Sequence, residues 1–180
     1  MDWGGPGAVL NIGMNDERCL HLSNHIGEKA ASELYFRFIQ AYSISVARLD
    51  PDVFDHIIDA NGSSVTAALA AYKDELGENF PQSIEIQLSE VLRSMARAWE
   101  GTSARLLREA KGAPADAGLG LVIQKMAFGV GDGESGSGVL QLVNSDTGKS
   151  QIMGRYLRQS QGRESLSDKR GALFLTRDTR

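Results

Sequence analysis

Between Glu28 and Trp99 the apolar residues recur at every third or fourth position, and beyond Gly112 that rhythm is gone. This change of period constrains the fold most, because a 3.6-residue repeat buries one face of a helix and cannot serve a strand. From Glu28 to about Arg48, Leu34, Phe38, Ile39, Tyr42 and Val46 make one stripe. Asp50-Pro51 supplies an N-cap and a first-turn proline for a short helix carrying Val53, Phe54, Ile57 and Ile58. Ser63 or Ser64 caps an alanine-rich helix that stops at Gly77. Asn79-Phe80-Pro81 breaks the chain. After Ser83 comes the longest stripe, with Leu88, Val91, Leu92, Met95, Ala98 and Trp99. Thr102 caps a last helix, Ser103–Ala110, ended by Gly112 and Pro114.

The remainder reads as strands. Leu119–Phe128 is apolar, partly β-branched and bounded by glycine, which predicts a strand. Gly138–Val143 and Gln151–Leu157 predict two more, joined by the hairpin chemistry of Asn144-Ser145-Asp146-Thr147-Gly148. Ala172–Thr176 is a fourth candidate. The expected fold class is therefore α+β, with a mainly helical segment over 1–112 and a β-rich part over 113–180. The start at Met1-Asp2-Trp3-Gly4-Gly5 and the end at Asp178-Thr179-Arg180 carry no stop signals, so both ends read as cut from a longer protein.

With 180 residues, 42% of them apolar and 23% charged, the chain falls in the globular range. Its longest uncharged apolar stretches, such as Leu119–Ile123, fall far short of the roughly 20 residues of a membrane span, so no membrane partner is expected. The single cysteine, Cys19, and the lack of a secretory leader point to the cytoplasm. Residues 1–100 carry 7 Lys/Arg against 15 Asp/Glu, while residues 149–180 carry 8 against 3. A basic end after an acidic body can face a phosphate-bearing ligand, or it is an uneven solvated surface. A pI near 5.4 argues against a nucleic-acid binder.

Gly129–Gly138 holds five glycines in ten residues and a formal GxGxxG at Gly131, Gly133 and Gly136. A strand rather than a helix follows, so it does not make a dinucleotide fingerprint. Thr147-Gly148-Lys149-Ser150 ends like a P-loop, but Val143 replaces the leading glycine. What remains is either a glycine loop whose N–H groups cover phosphates or a mobile surface hairpin loop. Cys19, His21 and His25 lie close in sequence, but no further ligand at metal spacing follows, so no metal site and no catalytic residues are assigned.

From Met95 onward the order of motifs is specific: Ala98-Trp99, Ser103-Ala104-Arg105, VIQKMAFG at 122–129, SGSGV at 135–139, DTGK at 146–149 and SQG at 160–162. Upstream stand GAVLNIGMND at 7–16, YFRFIQ at 35–40 and NFPQ at 79–82. This order resembles the ATP-grasp nucleotide-binding part of the pyruvate, phosphate dikinase family, over roughly residues 4–164. The resemblance implies a helical insertion at about 24–80 and a β-rich ATP-grasp lobe truncated at its C-terminus. It implies ATP and Mg²⁺ as family cofactors, and phosphoryl transfer achieved largely by positioning and charge neutralisation. The phosphohistidine and pyruvate-binding domains would be partners outside the chain.

By resemblance, Gln124 and Met126 border the adenine, Gly136 and Gly138 belong to the glycine loop near the phosphates, and Gln161 stands at the phosphate and metal end. The family's acidic positions in TGE, YGE and QGE are here Lys149, Arg155 and Arg163, a charge reversal where Mg²⁺ takes carboxylate oxygens. Val143 replaces the FTR arginine, and Gly5-Pro6-Gly7-Ala8 replaces MMDT. The resemblance therefore implies the nucleotide-binding portion of a dikinase-like phosphotransferase that is inactive as an isolated chain. The alternatives are a degenerate ATP-grasp module that binds or regulates without catalysis, its arginines holding an anion directly, and a helical interaction domain whose basic end recruits an acidic partner.

Overall fold

A computed structural model describes residues 4–61, 63–131, 133–144, 146–161 and 171–176. Among these, six helices precede one sheet: α1 Asp16–Ile26, α2 Glu28–Ser45, α3 Asp52–Asn61, α4 Val65–Leu76, α5 Ile84–Glu100 and α6 Thr102–Ala110, then β1 Gly136–Val143, β2 Ser150–Arg158 and β3 Leu173–Thr176. The fold is α+β. Most local signals act where expected; Thr102, expected to cap α6, is instead its first residue, and the N-cap is Gly101. The Ser64 hydroxyl accepts from Ala67 N at the start of α4, and Gly77 ends it at φ 73°, a left-handed conformation that glycine adopts without a Cβ penalty. Ser83 caps α5 in the same way. Helix α1 packs half-buried Cys19, Leu22 and Ile26 against the core, and Asn15 starts it by accepting from Arg18 N.

Helix α2 is the axis of the core, burying Ala31, Leu34, Tyr35, Phe36, Phe38, Ile39, Tyr42 and Ser43. Around it pack Phe54 of α3, Ala68 and Tyr72 of α4, Val91 of α5, and Phe80 from the break before α5. Phe80 meets the rings of Tyr35, Phe38, Tyr42 and Tyr72 at centroid separations of 6.2, 5.7, 5.2 and 5.2 Å. These edge-on contacts are the geometry the ring quadrupole favours.

Burial holds the phenols of this cluster in the protonated form. It pushes Tyr72 up to about 12, and Tyr35 and Tyr42 higher still. Each therefore contributes stability that is whole below the unfolded tyrosine value of about 10 and is lost as pH rises toward and past about 12. An alkaline titration followed by phenolate absorbance and far-ultraviolet dichroism is expected to show these three tyrosines ionising only as the helices melt. Ordinary ionisation near pH 10 with the helices intact would contradict this packing.

In the sheet, β1 pairs antiparallel with β2, and β2 with β3. The hairpin turn forms as expected: Asn144 Oδ1 accepts from Asp146 N and Thr147 N, and Gly148 N donates to Asn144 O. Strands β1 and β2 lie so close that a Cβ on Gly138 would collide with Arg155 O, and one on Gly154 with Val139 O. The register places Leu140, Gly154 and Leu175 on one face and Val139, Arg155 and Phe174 on the other.

The expected strand over Leu119–Phe128 is a correction. It runs without regular structure, and Val122 is 86% exposed. Periodicity and β-branching make a segment fit for a strand, but a strand exists only where a second one supplies its hydrogen bonds.

Candidate functional site

The N-terminal motifs meet in one polar network. Tyr35 Oη donates to Asp16 Oδ1 at 2.8 Å, Gln82 Nε2 donates to Tyr35 Oη at 3.1 Å, and Asn15 Nδ2 donates to Gln82 O at 2.9 Å. The side chain of Gln82 also accepts from Asp16 N at 2.9 Å. Residues of three separate motifs thus hold the start of α1 against α2 and the break before α5. Beside this network, a cavity of about 490 Å³ between α1 and α2 is lined in part by Asp16, Cys19, Ser32 and Tyr35. Burial pushes the Cys19 thiol up. None of the site residues assigned from the sequence lines this cavity.

Those residues are gathered only in part. Gln161 and Ser160 are buried just past the end of β2. The Gln161 side chain accepts from Gly129 N and donates to Ala127 O, so it fastens the segment that carries Met126, half-buried, and Gln124, exposed. Gly136 lies in β1 opposite Arg158, and Gly138 opposite Tyr156. A side chain on Gly136 would strike Leu157 O and the Tyr156 ring, so this glycine serves close strand approach. Ser137 and Ser160 share a hydroxyl hydrogen bond of 2.7 Å across the same junction. Gln161, Gly136, Gly138 and the Ala127–Gly129 backbone therefore form one locus.

Lys149 does not join it. It stands in the hairpin turn, and the nine residues of β2, about 30 Å of strand, separate it from the Gln161 end. Arg155 lies within β2, its guanidinium 5.3 Å from the Phe174 ring centroid. Arg158, three residues on, faces the other side of the sheet and pairs with Glu134 at 3.4 Å. Arg155 and Arg158 therefore do not converge on one anion, and Arg163 lies outside the described residues. On α1 the His21 and His25 rings stack at 4.7 Å, and among the described residues no group of three or more His, Cys, Asp or Glu is placed to hold a metal.

The glycine loop is anchored at its start. Val130 is 5% exposed and belongs to the helical core. Gly131 lies beside Ile26 of α1, and its backbone is bound by Gln159. Val130 and Gln159 escaped the sequence reading; the single valine set between glycines was the available signal for the first.

Along 88% of its length the chain aligns, at 32% identity over 178 residues, with a curated protein of Clostridium symbiosum. That relative is a pyruvate, phosphate dikinase. Enzymes of the same name from Rhizobium meliloti and Oryza sativa match at 30% over 177 residues and 28% over 176. The alignments cover 20% of these dikinases, so the chain spans about one fifth of the length of the relatives it matches. No family model matches the chain. Among the described residues no helix is long and apolar enough to cross a membrane.

The residues present do not fit Mg²⁺. The ion takes carboxylate and water oxygens in octahedral geometry, and two of the implied acidic positions carry Lys149 and Arg155 instead.

Proposed function

We propose that this chain is the nucleotide-binding portion of a pyruvate, phosphate dikinase-like phosphotransferase and is inactive by itself. The observation that carries this reading is the coincidence of two facts. The chain is similar to dikinases along 88% of its length, and its dikinase-like Gln161 and glycine motifs occupy one locus at the end of β2. In this reading residues 1–112 form the helical segment with an insertion at about 24–80, and residues 113–180 form a truncated ATP-grasp lobe. Gln124 and Met126 border the adenine, while Gly136, Gly138 and Gln161 stand near the phosphates. The N–H groups of Gly129 and Gly131 donate to Gln161 and Gln159, so phosphate oxygens would be met by other N–H groups of the loop, which donate without desolvating a side-chain charge. The phosphohistidine and pyruvate-binding domains of a longer dikinase-like protein would supply the remaining chemistry in the cytoplasm.

The second reading is a degenerate module that binds a phosphate ligand without catalysis. Arg155 favours it, because a guanidinium contacts phosphate oxygens directly; Lys149, at the far end of β2, does not bear on that site. Calorimetric titration of ATP, with and without Mg²⁺, separates the two. The first reading expects binding that strengthens with Mg²⁺ carried on the phosphates of ATP rather than held by carboxylates of this chain. The second expects metal-independent binding that weakens steeply with salt. Absence of any binding would remove both.

A further inference from the structure

Gln159, two residues before Gln161, stands at φ 49°, a left-handed conformation that costs a residue with a Cβ about 1 kcal/mol or more. Its side chain offsets that cost. Oε1 accepts from Gly131 N at 3.0 Å, while Nε2 donates to Gly131 O at 2.9 Å and to Gly133 O at 3.3 Å. Gln159 N also donates to Ser135 O at 2.8 Å. One primary amide thus pairs with the N–H and C=O of Gly131 as a neighbouring strand would. Gln161 does the same for Gly129 N and Ala127 O. Beyond the end of β2, where its ladder with β1 stops, two glutamine side chains continue the backbone pairing. Val130, buried between the two clamped positions, pins the same stretch to the helical core.

We propose that Gln159 is a positioning residue that holds Gly131 and Gly133 against the end of β2, setting the glycine loop in place for the phosphates of a nucleotide. The proposal rests on the nucleotide-binding reading above. It assigns Gln159 no contact with the nucleotide; the residue acts through the backbone it holds. Glutamine suits the task because its amide donates and accepts from one planar group. Leucine of similar size offers neither function, and asparagine is one methylene too short to reach.

The test uses the 180-residue chain, its Gln159→Leu and Gln159→Asn variants, and ATP as the probe. Two readouts are needed: amide hydrogen exchange at Gly131 and Gly133, and ATP affinity by calorimetry. In both variants Gly131 is expected to exchange about tenfold faster or more, and ATP to bind about tenfold more weakly, because the freed loop must be ordered again on binding. The thermal transition of the tyrosine-lined helical core should stay in place, which shows that the fold survives; if the leucine variant misfolds, the asparagine variant decides. Unchanged exchange at Gly131 overturns the clamp while leaving ATP binding by the unaltered chain intact. Faster exchange with unchanged affinity overturns the positioning role. If the unaltered chain binds no ATP, the nucleotide reading fails whatever the exchange data show, and Gln159 is reduced to a structural fastening.

Discussion

Replacing Gln87 with leucine is expected to destabilise the protein by about 3 kcal/mol or more, a large share of the 5–15 kcal/mol typical of a domain. Gln87 is 0% exposed. Its Oε1 accepts from Gly13 N at 2.9 Å, and its Nε2 donates to Met14 O at 2.9 Å and Pro81 O at 2.8 Å. One side chain on α5 thereby satisfies three backbone groups, in the turn before α1 and in the break before α5. Leucine fills similar space but leaves a donor and two acceptors without partners, and each such buried group costs about 1–3 kcal/mol. Urea unfolding should show a lower midpoint with an unchanged slope. A loss below about 1 kcal/mol would mean that water replaces the amide, and the network would lose its assigned weight. Gln87→Glu sharpens the test. A carboxylate keeps the bond to Gly13 N but turns lone pairs toward two carbonyls, so the folded state favours the protonated acid. Its folded pKa then lies above the unfolded value of about 4.3, and the deficit of this variant should be smallest in acid and grow as pH rises past that value.

Phe80→Ala is expected to cost about 3–5 kcal/mol, the range for removing a fully packed ring from a core. Phe80 is 3% exposed and touches four other rings. Its loss opens a cavity bounded by α2, the end of α4 and the start of α5, where helix axes cannot simply close in. Leucine at the same position should recover roughly half, restoring volume but not the edge-on ring contacts. The alkaline titration supplies an independent readout, since water admitted beside Tyr42 and Tyr72 should bring their ionisation back toward the ordinary range. A Phe80→Ala variant with native stability and still-protected tyrosines would show that the cluster is held from elsewhere.

The contrast between Phe80 and the Leu119–Phe128 segment shows how far local signals reach. Asn79-Phe80-Pro81 reads as a break, and it is one, because proline restricts the residue before it and lacks an N–H of its own. Nothing local says that the broken segment drops its phenylalanine into the centre of the core. Leu119–Phe128 has the composition of a strand, yet that alone cannot supply the neighbour a strand requires. Helix α1 was not among the elements expected from the sequence, although Asn15-Asp16-Glu17 offers a capping residue followed by first-turn carboxylates and Cys19, Leu22 and Ile26 recur at helical spacing.

The sequence by itself determined where α3 and α5 begin, where α4 begins and ends and where the β1–β2 hairpin turns, because Pro51, Ser64, Gly77, Ser83 and the 144–148 turn act through bonds within a few residues. It also carried the likeness to dikinases, which align with 88% of the chain. The tertiary structure alone decided that Gln87 satisfies backbone 73 residues away, that Gln159 and Gln161 clasp the glycine loop from about 30 residues on, and that Lys149 stands apart from the Gln161 end. Those outcomes depend on which buried donor finds which acceptor once the chain is compact, and no spacing along the sequence encodes that pairing.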